Sequence, residues 1–457
     1  MSLPISIIVF FAVIGVPLFC ALAGVGLAGF HHIGTPLPGL IDDVYQLTGG
    51  KAVSLSTIPL FTFAGYLMAR AKTATRLVAM SEALLGPVPG GLAVMTVMTS
   101  AFFTVFTGAS GVTIVALGGI LLPQLERSGY KKRFALGTVT GSGAVGLLFP
   151  PALPLIVYGI VYGINVGMAS GAGGDVSFSN DRFLFAGILP GIVLCGILSI
   201  YCVVEGARSK VPRTPVDLRK FFRALWEAKW EWPIPFVIIL LMVRGIAQIH
   251  EVAAITAVYV FVVEVFIYRD IDVRKDLFEV TRESMTLVGA IFMKIFGATI
   301  LTGYLIEASV PDRLFTWMSQ YVHSQWAFLL VMNVVLLLVG CLMDIFSAIV
   351  VMVPLIVPAA MQYHINPYHL GVIFLLNLEI GYLLPPAGLN LFIAAFRFDR
   401  PITELYRAVL PFIALMIVAL GIVTYVPSLT EWSLKLAPKQ AMGSATLDGA
   451  TPAAPPP

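Results

Sequence analysis

The chain has 457 residues, of which 58% are hydrophobic and 12% are charged, and its mean hydropathy is +0.92. Soluble domains are about one quarter charged, so this composition excludes a soluble protein and predicts an all-α polytopic membrane protein. The net charge of +3 gives no reason to expect a nucleic-acid partner. The four cysteines lie in apolar stretches without metal or disulfide spacing, which favours a packing role for them.

Lysine and arginine residues concentrate in five segments, whereas the stretches between these segments are poor in both. The positive-inside rule places the five segments in the cytoplasm. The first helix, Leu3–Phe30, then begins in the cytoplasm and crosses outward, and the C-terminus lies outside. The basic segments are Arg70–Arg76, Arg127–Arg133, Arg208–Lys229, Arg269–Arg282 and Arg397–Arg407.

The first half of the chain returns to the cytoplasm over residues 54–69. Residues 92–126 start and finish on the cytoplasmic side, so they predict a re-entrant helical hairpin with its tip at Thr107–Gly111. Residues 134–164 then cross outward through Pro150-Pro151. Each proline removes a backbone donor and clashes with the preceding turn, so this pair predicts a broken helix.

The middle of the chain begins with residues 183–204, which return to the cytoplasm, and a basic arm over residues 205–232 with three tryptophans. This arm could bind a partner or the lipid surface. Aromatic and basic residues together are typical of an amphipathic helix at the membrane surface, which favours contact with the bilayer. Residues 233–249 and 252–268 predict a pair of scaffold helices with its turn at His250-Glu251.

The second half runs in the opposite direction across the membrane. Residues 286–305 cross outward in a helix that is predicted to begin near Met285, and residues 326–361 form a hairpin that starts and finishes outside. Residues 369–397 cross inward through Pro385-Pro386, and a last helix exits again. The pattern therefore predicts two inverted repeats, each with a re-entrant hairpin and a Pro-Pro broken helix.

The sequence around the break occurs twice, because Gly146–Ala152 (GLLFPPA) reappears as Gly381–Ala387 (GYLLPPA). Broken helices at matching positions of two repeats predict a transporter binding site near the bilayer midplane. The predicted segments are an N-terminal scaffold helix and outer loop (1–53), a first inverted repeat (54–204), the basic arm and scaffold helix pair (205–284), a second inverted repeat (285–430) and a disordered tail (431–457).

Small and hydroxyl-bearing residues mark the hairpin tips and the breaks. Carbonyl and hydroxyl oxygens suit a small hard cation such as Na⁺, whereas helix N-termini favour carboxylates. The alternative is that small residues there only allow tight helix packing. The candidate ion- and substrate-binding residues are Thr107, Gly108, Ser110, Thr140, Ser142, Gly143, Pro150 and Pro151 in the first repeat, and Asp344, Ser347, Asn377, Pro385, Pro386, Gly388 and Asn390 in the second. The sodium candidates are Ser110, Ser142, Ser347 and Asn377.

Charged residues inside apolar stretches are a second signal. Asp344 and Glu379 lie in such stretches, where a charge costs roughly 2.5–3.5 kcal/mol at the bilayer centre. We expect each to face a cavity, a cation or a partner, or to have a structural role as a protonated or hydrogen-bonded group. Lys294 could attract an anionic substrate, but we expect its long stem to carry the ammonium toward the cytoplasmic interface.

Long runs of residues, ordered alike, carry a resemblance to a known family over about 4–430. The chain resembles the large, DctM-like membrane subunit of tripartite ATP-independent periplasmic (TRAP) transporters. The runs that carry the resemblance are Ile58–Gly65, Thr107–Thr113, Ser142–Pro151, Val353–Pro358, Asn377–Gly381 and Pro385–Leu391.

This resemblance implies an elevator mechanism of the ion-transporter type, in which a transport domain moves against a scaffold domain. It also implies symport of Na⁺ with a small carboxylate, without ATP or an organic cofactor. The implied partners are a small four-helix membrane subunit and a periplasmic substrate-binding protein. The implied location is the bacterial inner membrane, with the N-terminus in the cytoplasm and the C-terminus in the periplasm.

Three alternatives stay open from the sequence. A stand-alone sodium-coupled anion symporter would need no binding protein, and co-purification with a small membrane subunit would distinguish it. A channel is disfavoured because broken helices and occluding hairpins interrupt a continuous pore. A membrane-embedded enzyme is disfavoured because no paired histidine or cysteine constellation and no phosphate-binding loop occurs in the sequence.

Overall fold

The computed structural model describes residues 16–34, 55–85, 88–169, 178–209 and 218–437, and the regular elements in these ranges are helices. Six of the described helices are long and apolar enough to cross a membrane, or seven if one bent pair counts as a single span. The prediction of an all-α polytopic membrane protein is therefore confirmed. The start of the predicted first helix, most of the outer loop and the end of the tail lie outside the described residues.

The N-terminal half consists of short and medium helices, with a 3₁₀ turn at Val145–Leu148. Their bounds are α1 Leu18–Ile33, α2 Thr57–Arg70, α3 Thr73–Leu85, α4 Gly91–Thr107, α5 Ser110–Arg127, α6 Lys132–Ser142, α7 Leu153–Ala169, α8 Asn180–Ala186, α9 Ile188–Arg208 and α10 Leu218–Glu227.

The C-terminal half contains the longest described helix and a π-helical turn at Val263–Ile267. The bounds are α11 Ile234–Val243, α12 Ile249–Val262, α13 Asp276–Glu307, α14 Val310–Ser319, α15 Gln325–Leu342, α16 Ile345–Gln362, α17 Pro367–Gly381, α18 Leu389–Phe398, α19 Ile402–Tyr425 and α20 Ser428–Leu434.

The helices of both predicted hairpins are joined by two residues, and local chemistry explains both connections. In the first hairpin (α4 and α5), Gly108 follows α4 with φ 61°, a left-handed conformation that glycine adopts without a Cβ clash. In the second hairpin (α15 and α16), Asp344 precedes α16 in an extended conformation, and its carboxylate accepts a hydrogen bond from the Ser347 amide at 3.1 Å. We call Gly108-Ala109 the first tip and Met343-Asp344 the second tip.

Helical structure is interrupted around both proline pairs. In the first break, residues 143–152, the chain leaves the 3₁₀ turn at Leu148 and resumes at Leu153, and the flanking helices are bent by 43°. In the second break, residues 382–388, α17 ends before Tyr382 and α18 begins after Gly388.

One group of helices packs around α13, which lies along α1 and α2, while α12 also packs on α2. Glycines allow the close approach of α1 and α13, because a Cβ at Gly26 would lie 2.8 Å from Ile300 and one at Gly297 would lie 2.6 Å from the Phe19 carbonyl. A second group joins the hairpins and breaks through contacts of α5 with α18, α6 with α19, α7 with α16, and α15 with α17.

Three predicted boundaries differ from the structure. The turn of the middle helix pair lies between Val243 and Ile249, so His250 and Glu251 belong to the first turn of α12, where Glu251 closes a capping box with Gln248. The helix expected near Met285 begins at Asp276. The predicted tail begins too early, since α20 extends to Leu434.

Substituting Gly65 with alanine should destabilise the protein by about 1–3 kcal/mol, because the added methyl group would overlap the carbonyl oxygen of Phe106 and push α2 off the first hairpin. Gly196 in α9 is a matched control, since a Cβ there meets nothing within 4 Å. Thermal unfolding in detergent measures both variants. A Gly65→Ala protein as stable as Gly196→Ala would contradict this packing.

Candidate functional site

The start of α5, directly after the first tip, contacts the start of α18, directly after the second break. Ser110, the first residue of α5, donates a hydrogen bond from Oγ to Asn390 Oδ1 at 2.7 Å, and both side chains are buried. The amide nitrogen of Asn390 has no hydrogen-bond partner among the described residues. Two predicted residues that are far apart in the sequence therefore form one polar contact, and the Asn390 amide nitrogen remains available as a hydrogen-bond donor.

The second tip contacts the second break as well. The Ser347 hydroxyl bonds to the Asp344 carboxylate, and the Tyr382 hydroxyl accepts a hydrogen bond from the Ile345 amide. The Cys341 thiol, at the end of α15, lies 3.2 Å from the Leu384 carbonyl. The segment after α17 is thus held against the tip of the second hairpin.

The first hairpin contacts the first break through a cluster of oxygen atoms. Thr104 Oγ1 lies 2.7 Å from the Ser100 carbonyl, 2.7 Å from Thr113 Oγ1 and 2.9 Å from the Gly143 carbonyl. A hydroxyl carries one proton, so Thr104 can donate to only one of these oxygens. The remaining oxygens can accept a further donor or coordinate a hard cation.

Other predicted residues join or border this oxygen cluster. Thr107 Oγ1 lies 3.3 Å from Thr113 Oγ1, and Ser142 Oγ donates to Ser100 Oγ at 3.2 Å. Thr140 is fully buried, and its hydroxyl has no partner among the described residues. The site residues that the sequence did not single out are Ser100 and Thr104.

A periodic signal for these two residues exists in the sequence. Thr96, Ser100, Thr104 and Thr107 are spaced by three or four residues, which places their hydroxyls on one face of α4. A hydroxyl stripe that runs toward a hairpin tip would have predicted this cluster.

Asn377 and Glu379 lie apart from the tips. The Asn377 amide nitrogen donates to Asn333 Oδ1 at 2.7 Å and to the Ile373 carbonyl at 2.8 Å, and Asn333 donates to Thr424 Oγ1 at 3.1 Å. Both carboxyl oxygens of Glu379 are buried without a partner among the described residues. The structure therefore does not bring these two side chains into contact with the tips, although Asn377 Oδ1 retains a free acceptor position.

The two breaks differ in their exposure. Pro150 and Pro151 are buried, whereas Pro385 and Pro386 are exposed. The Pro386 carbonyl accepts a hydrogen bond from the Tyr406 hydroxyl at 2.8 Å, and Gly388 is buried where a Cβ would lie 2.5 Å from the Tyr382 carbonyl. The proline pair of the first break therefore lies in the protein interior, whereas that of the second break lies on the protein surface.

A cavity of about 820 Å³ lies between the two tips and α13. Ser110 lines it from the first hairpin, Asp344 from the second, and Leu389 from the start of α18. Its charged walls carry Arg70, Glu283, Lys294, Asp344 and Arg397. A cavity of this volume that is bordered by both tips can hold a small anion.

We expected the long stem of Lys294 to carry its ammonium toward the cytoplasmic interface, but this expectation is wrong. Its ammonium lies 2.9 Å and 3.0 Å from the two carboxylate oxygens of Asp344 and lines the cavity. The cause is an anionic partner at the second tip, which stabilises the ammonium within the protein.

Comparison with known proteins identifies a family. Residues 5–429 match the family described as the DctM component of the tripartite ATP-independent periplasmic transporter. The "C4-dicarboxylate TRAP transporter large permease protein DctM" of Rhodobacter capsulatus is 32% identical over 420 residues, which cover 91% of this chain and 94% of that protein. The "Isethionate TRAP transporter permease protein DctMQ" of Oleidesulfovibrio alaskensis is 31% identical over 421 residues, which cover 92% of this chain and 64% of that longer protein.

A solved structure supports the fold. The crystal structure of the YdaH transporter of Alcanivorax borkumensis matches with a TM-score of 0.61 and 14% sequence identity, covering 94% of this chain and 99% of that one. At this identity the likeness concerns the fold alone. The family match and the relatives show that this chain belongs to the DctM family of TRAP transporter large permeases, which are membrane transport proteins and not enzymes.

Proposed function

We propose that the chain is the translocating subunit of a sodium-coupled importer for a small organic acid. The observation that carries the proposal is the set of contacts that joins both hairpins to the regions of the two breaks, through Ser110 with Asn390, Tyr382 with Ile345, and Thr104 with Gly143. Non-helical backbone is tolerated at membrane depth where protein or a water-filled cavity surrounds it. Interrupted helices gathered beside one cavity form such a place.

The proposed mechanism is elevator-type alternating access by two inverted repeats. The group of α1, α2, α12 and α13 would be the scaffold, and the hairpins with the broken helices would be the moving transport domain. The cavity is lined by Arg70 and Arg397, which lie in predicted cytoplasmic segments, and by Tyr382 at the start of the second break. These features support an inward-open state, with the N-terminus in the cytoplasm and the C-terminus in the periplasm of an inner-membrane protein.

Sodium coupling is supported by the oxygen cluster around Thr104. The Thr104 hydroxyl lies within hydrogen-bonding distance of both the Thr113 hydroxyl and the Gly143 carbonyl, so three oxygen atoms from two helices and the first break meet at this point. A Na⁺ ion coordinated there would hold the first hairpin against the first break. Moving one such charge through 100 mV contributes about 2.3 kcal/mol to uptake.

The partners and the substrate class are proposed from the relatives. Family members are components of a tripartite transporter, and one relative carries the name DctMQ and is longer than this chain. We therefore propose a small membrane subunit and a periplasmic binding protein as partners. Relatives named for C4-dicarboxylates, isethionate and sialic acid support a small organic anion as the substrate, and a carboxylate fits the basic walls of the cavity.

Uptake into proteoliposomes tests the proposed function. The chain is reconstituted with its small membrane subunit and binding protein, and radiolabelled organic acids are offered with and without an inward Na⁺ gradient. We expect accumulation that requires both the gradient and the binding protein. Na⁺-driven uptake without the binding protein would identify a stand-alone symporter, and uptake that ignores Na⁺ would refute the coupling.

Replacing Ser142 with alanine should weaken the Na⁺ dependence of uptake. Ser142 is fully buried at the start of the first break, and its hydroxyl bonds only to Ser100 among the described residues. Losing the Ser142 hydroxyl should weaken Na⁺ binding by about 1 kcal/mol, the typical contribution of one such contact. The Na⁺ concentration for half-maximal uptake should then rise about fivefold. An unchanged Na⁺ dependence would remove Ser142 from the set of sodium candidates.

A further inference from the structure

Lys294 lies near the middle of α13, and this depth distinguishes it from the other cations of the cavity. Helix α13 begins at Asp276 and ends at Glu307. Glu283 is the last charged residue of α13 before Lys294. Each helical residue rises about 1.5 Å, so Lys294 lies about 17 Å further along, close to half the thickness of a hydrocarbon core of about 30 Å. A cation at this depth needs an anionic partner because the surroundings are apolar.

The two other basic side chains of the described cavity wall already have partners. Arg70 donates to Glu279 at 2.7 Å and lies 3.3 Å from Asp276, both at the start of α13. Arg397 donates from Nε to the Val115 carbonyl at 2.9 Å. Lys294 is therefore the basic group that lies beside the second tip and has its partner within the same cavity.

That partner, Asp344, has two functions. Its carboxylate caps α16 through the Ser347 amide, and it binds the Lys294 ammonium with both oxygens. Helix α13 packs on α1 and α2, whereas Asp344 lies on the second hairpin. The ion pair thus joins the proposed scaffold to the proposed transport domain, and its side chains remain 20% and 34% exposed to the cavity.

We propose that Lys294 binds the carboxylate of the substrate and that Asp344 occupies this ammonium while no substrate is present. The proposal rests on the proposed function and names the substrate-binding cation of its site. An arriving carboxylate replaces Asp344 at the ammonium, so Lys294 is never left without an anion. Asp344 keeps its cap on α16 but releases α13, which frees the second hairpin to move.

This exchange makes opposite predictions for the two partners. Asp344→Asn removes the competitor and preserves the cap, because asparagine is also a favoured N-cap residue. Substrate affinity should therefore rise by about fivefold, because Asp344 no longer lowers the fraction of the protein in which the Lys294 ammonium is free to bind a carboxylate. Lys294→Met removes the cation that binds the substrate, and affinity should fall by at least about 30-fold.

The double variant separates this role from a purely structural ion pair. If the pair only stabilises the fold, each single variant leaves one unpaired charge, and Lys294→Met with Asp344→Asn together should recover acid binding. If Lys294 binds the substrate, the double variant should bind as weakly as Lys294→Met alone. Lys294→Arg keeps the charge and should retain most of the affinity.

Direct binding to the purified membrane complex is the experiment. A panel of radiolabelled monocarboxylates and dicarboxylates, with the matching uncharged amides as negative controls, is measured at saturating Na⁺ without any gradient. Tighter binding by Asp344→Asn and weak binding by both Lys294→Met variants support the proposal. Recovery in the double variant, equal losses in both single variants, or no carboxylate binding by the wild-type complex would overturn it. This binding measurement uses no gradient, so its outcome is independent of the uptake experiment that tests Na⁺-driven transport.

Discussion

Replacing Arg76 with methionine should cost about 3–5 kcal/mol of folding free energy, because it leaves buried carboxylates without their cation. The Arg76 guanidinium, in α3, donates from Nε to both oxygens of Glu231 at 3.0 and 2.9 Å, from Nη1 to Asp270 at 2.6 Å and from Nη2 to Glu264 at 3.2 Å. The side chain of Glu231 is 0% exposed and that of Glu264 is 1% exposed. We expect the Arg76→Met protein to unfold at a much lower temperature in detergent.

Two comparisons make this expectation specific. Arg223→Met removes an exposed pair with Glu227, whose side chains are 83% and 52% exposed, and such pairs contribute about 0–1 kcal/mol. Adding Glu231→Gln to Arg76→Met should restore part of the lost stability, because one unpaired charge disappears. The role assigned to Arg76 would be wrong if its methionine variant unfolded at the same temperature as Arg223→Met.

The Arg76 cluster was not predicted from the sequence, for a physical reason. From local composition, Arg76 was assigned to a cytoplasmic basic segment and Glu231 to an arm on the membrane surface. Their contact joins residues 155 positions apart. The buried position of Glu231 is therefore a property of the tertiary packing, which local charge patterns do not contain.

The interrupted helices were predicted because their causes are local. Proline prevents helical hydrogen bonding within a turn or two, and glycine permits the left-handed connection at Gly108. The start of α13 was placed too late because Arg269–Arg282 was assigned to a cytoplasmic basic segment, whereas Asp276 and Glu279 in this segment pair with Arg70 on α2. Where a helix boundary depends on a distant partner, the sequence alone was insufficient.

The candidate site was predicted in part. Ser110 contacts Asn390 from the other half of the chain, as expected if the hairpins and breaks share one site, whereas the contact of Asp344 with Ser347 is a local helix cap. Asn377 instead bonds to Asn333, because a polar side chain inside an apolar helix can be satisfied by a neighbouring helix as readily as by an ion. The contact of Lys294 with the second tip required the three-dimensional arrangement of α13 and α16.

Replacing Thr104 with valine should raise the Na⁺ concentration for half-maximal uptake strongly. Valine has nearly the same shape, so α4 should keep its path, but the hydroxyl that contacts Ser100, Thr113 and Gly143 is lost. An unsatisfied buried polar group costs about 1–3 kcal/mol, which corresponds to roughly 5–150-fold in a binding constant. If Na⁺ binds at this cluster, the lost oxygen contact destabilises the Na⁺-bound state and so weakens Na⁺ binding.

Thr96→Val is the matched control on the same helix. Thr96 is also fully buried, but among the described residues its hydroxyl contacts only the Leu92 carbonyl of its own helix, to which it donates at 2.9 Å. Uptake is measured over a range of Na⁺ concentrations for both variants, with unfolding temperature as a check on folding. A higher half-saturating Na⁺ concentration in Thr104→Val alone would locate the coupling ion at the junction of the first hairpin and the first break. Equal Na⁺ curves for the two variants would show that this cluster serves only to pack α4 against the break, and the coupling ion would then have to bind elsewhere.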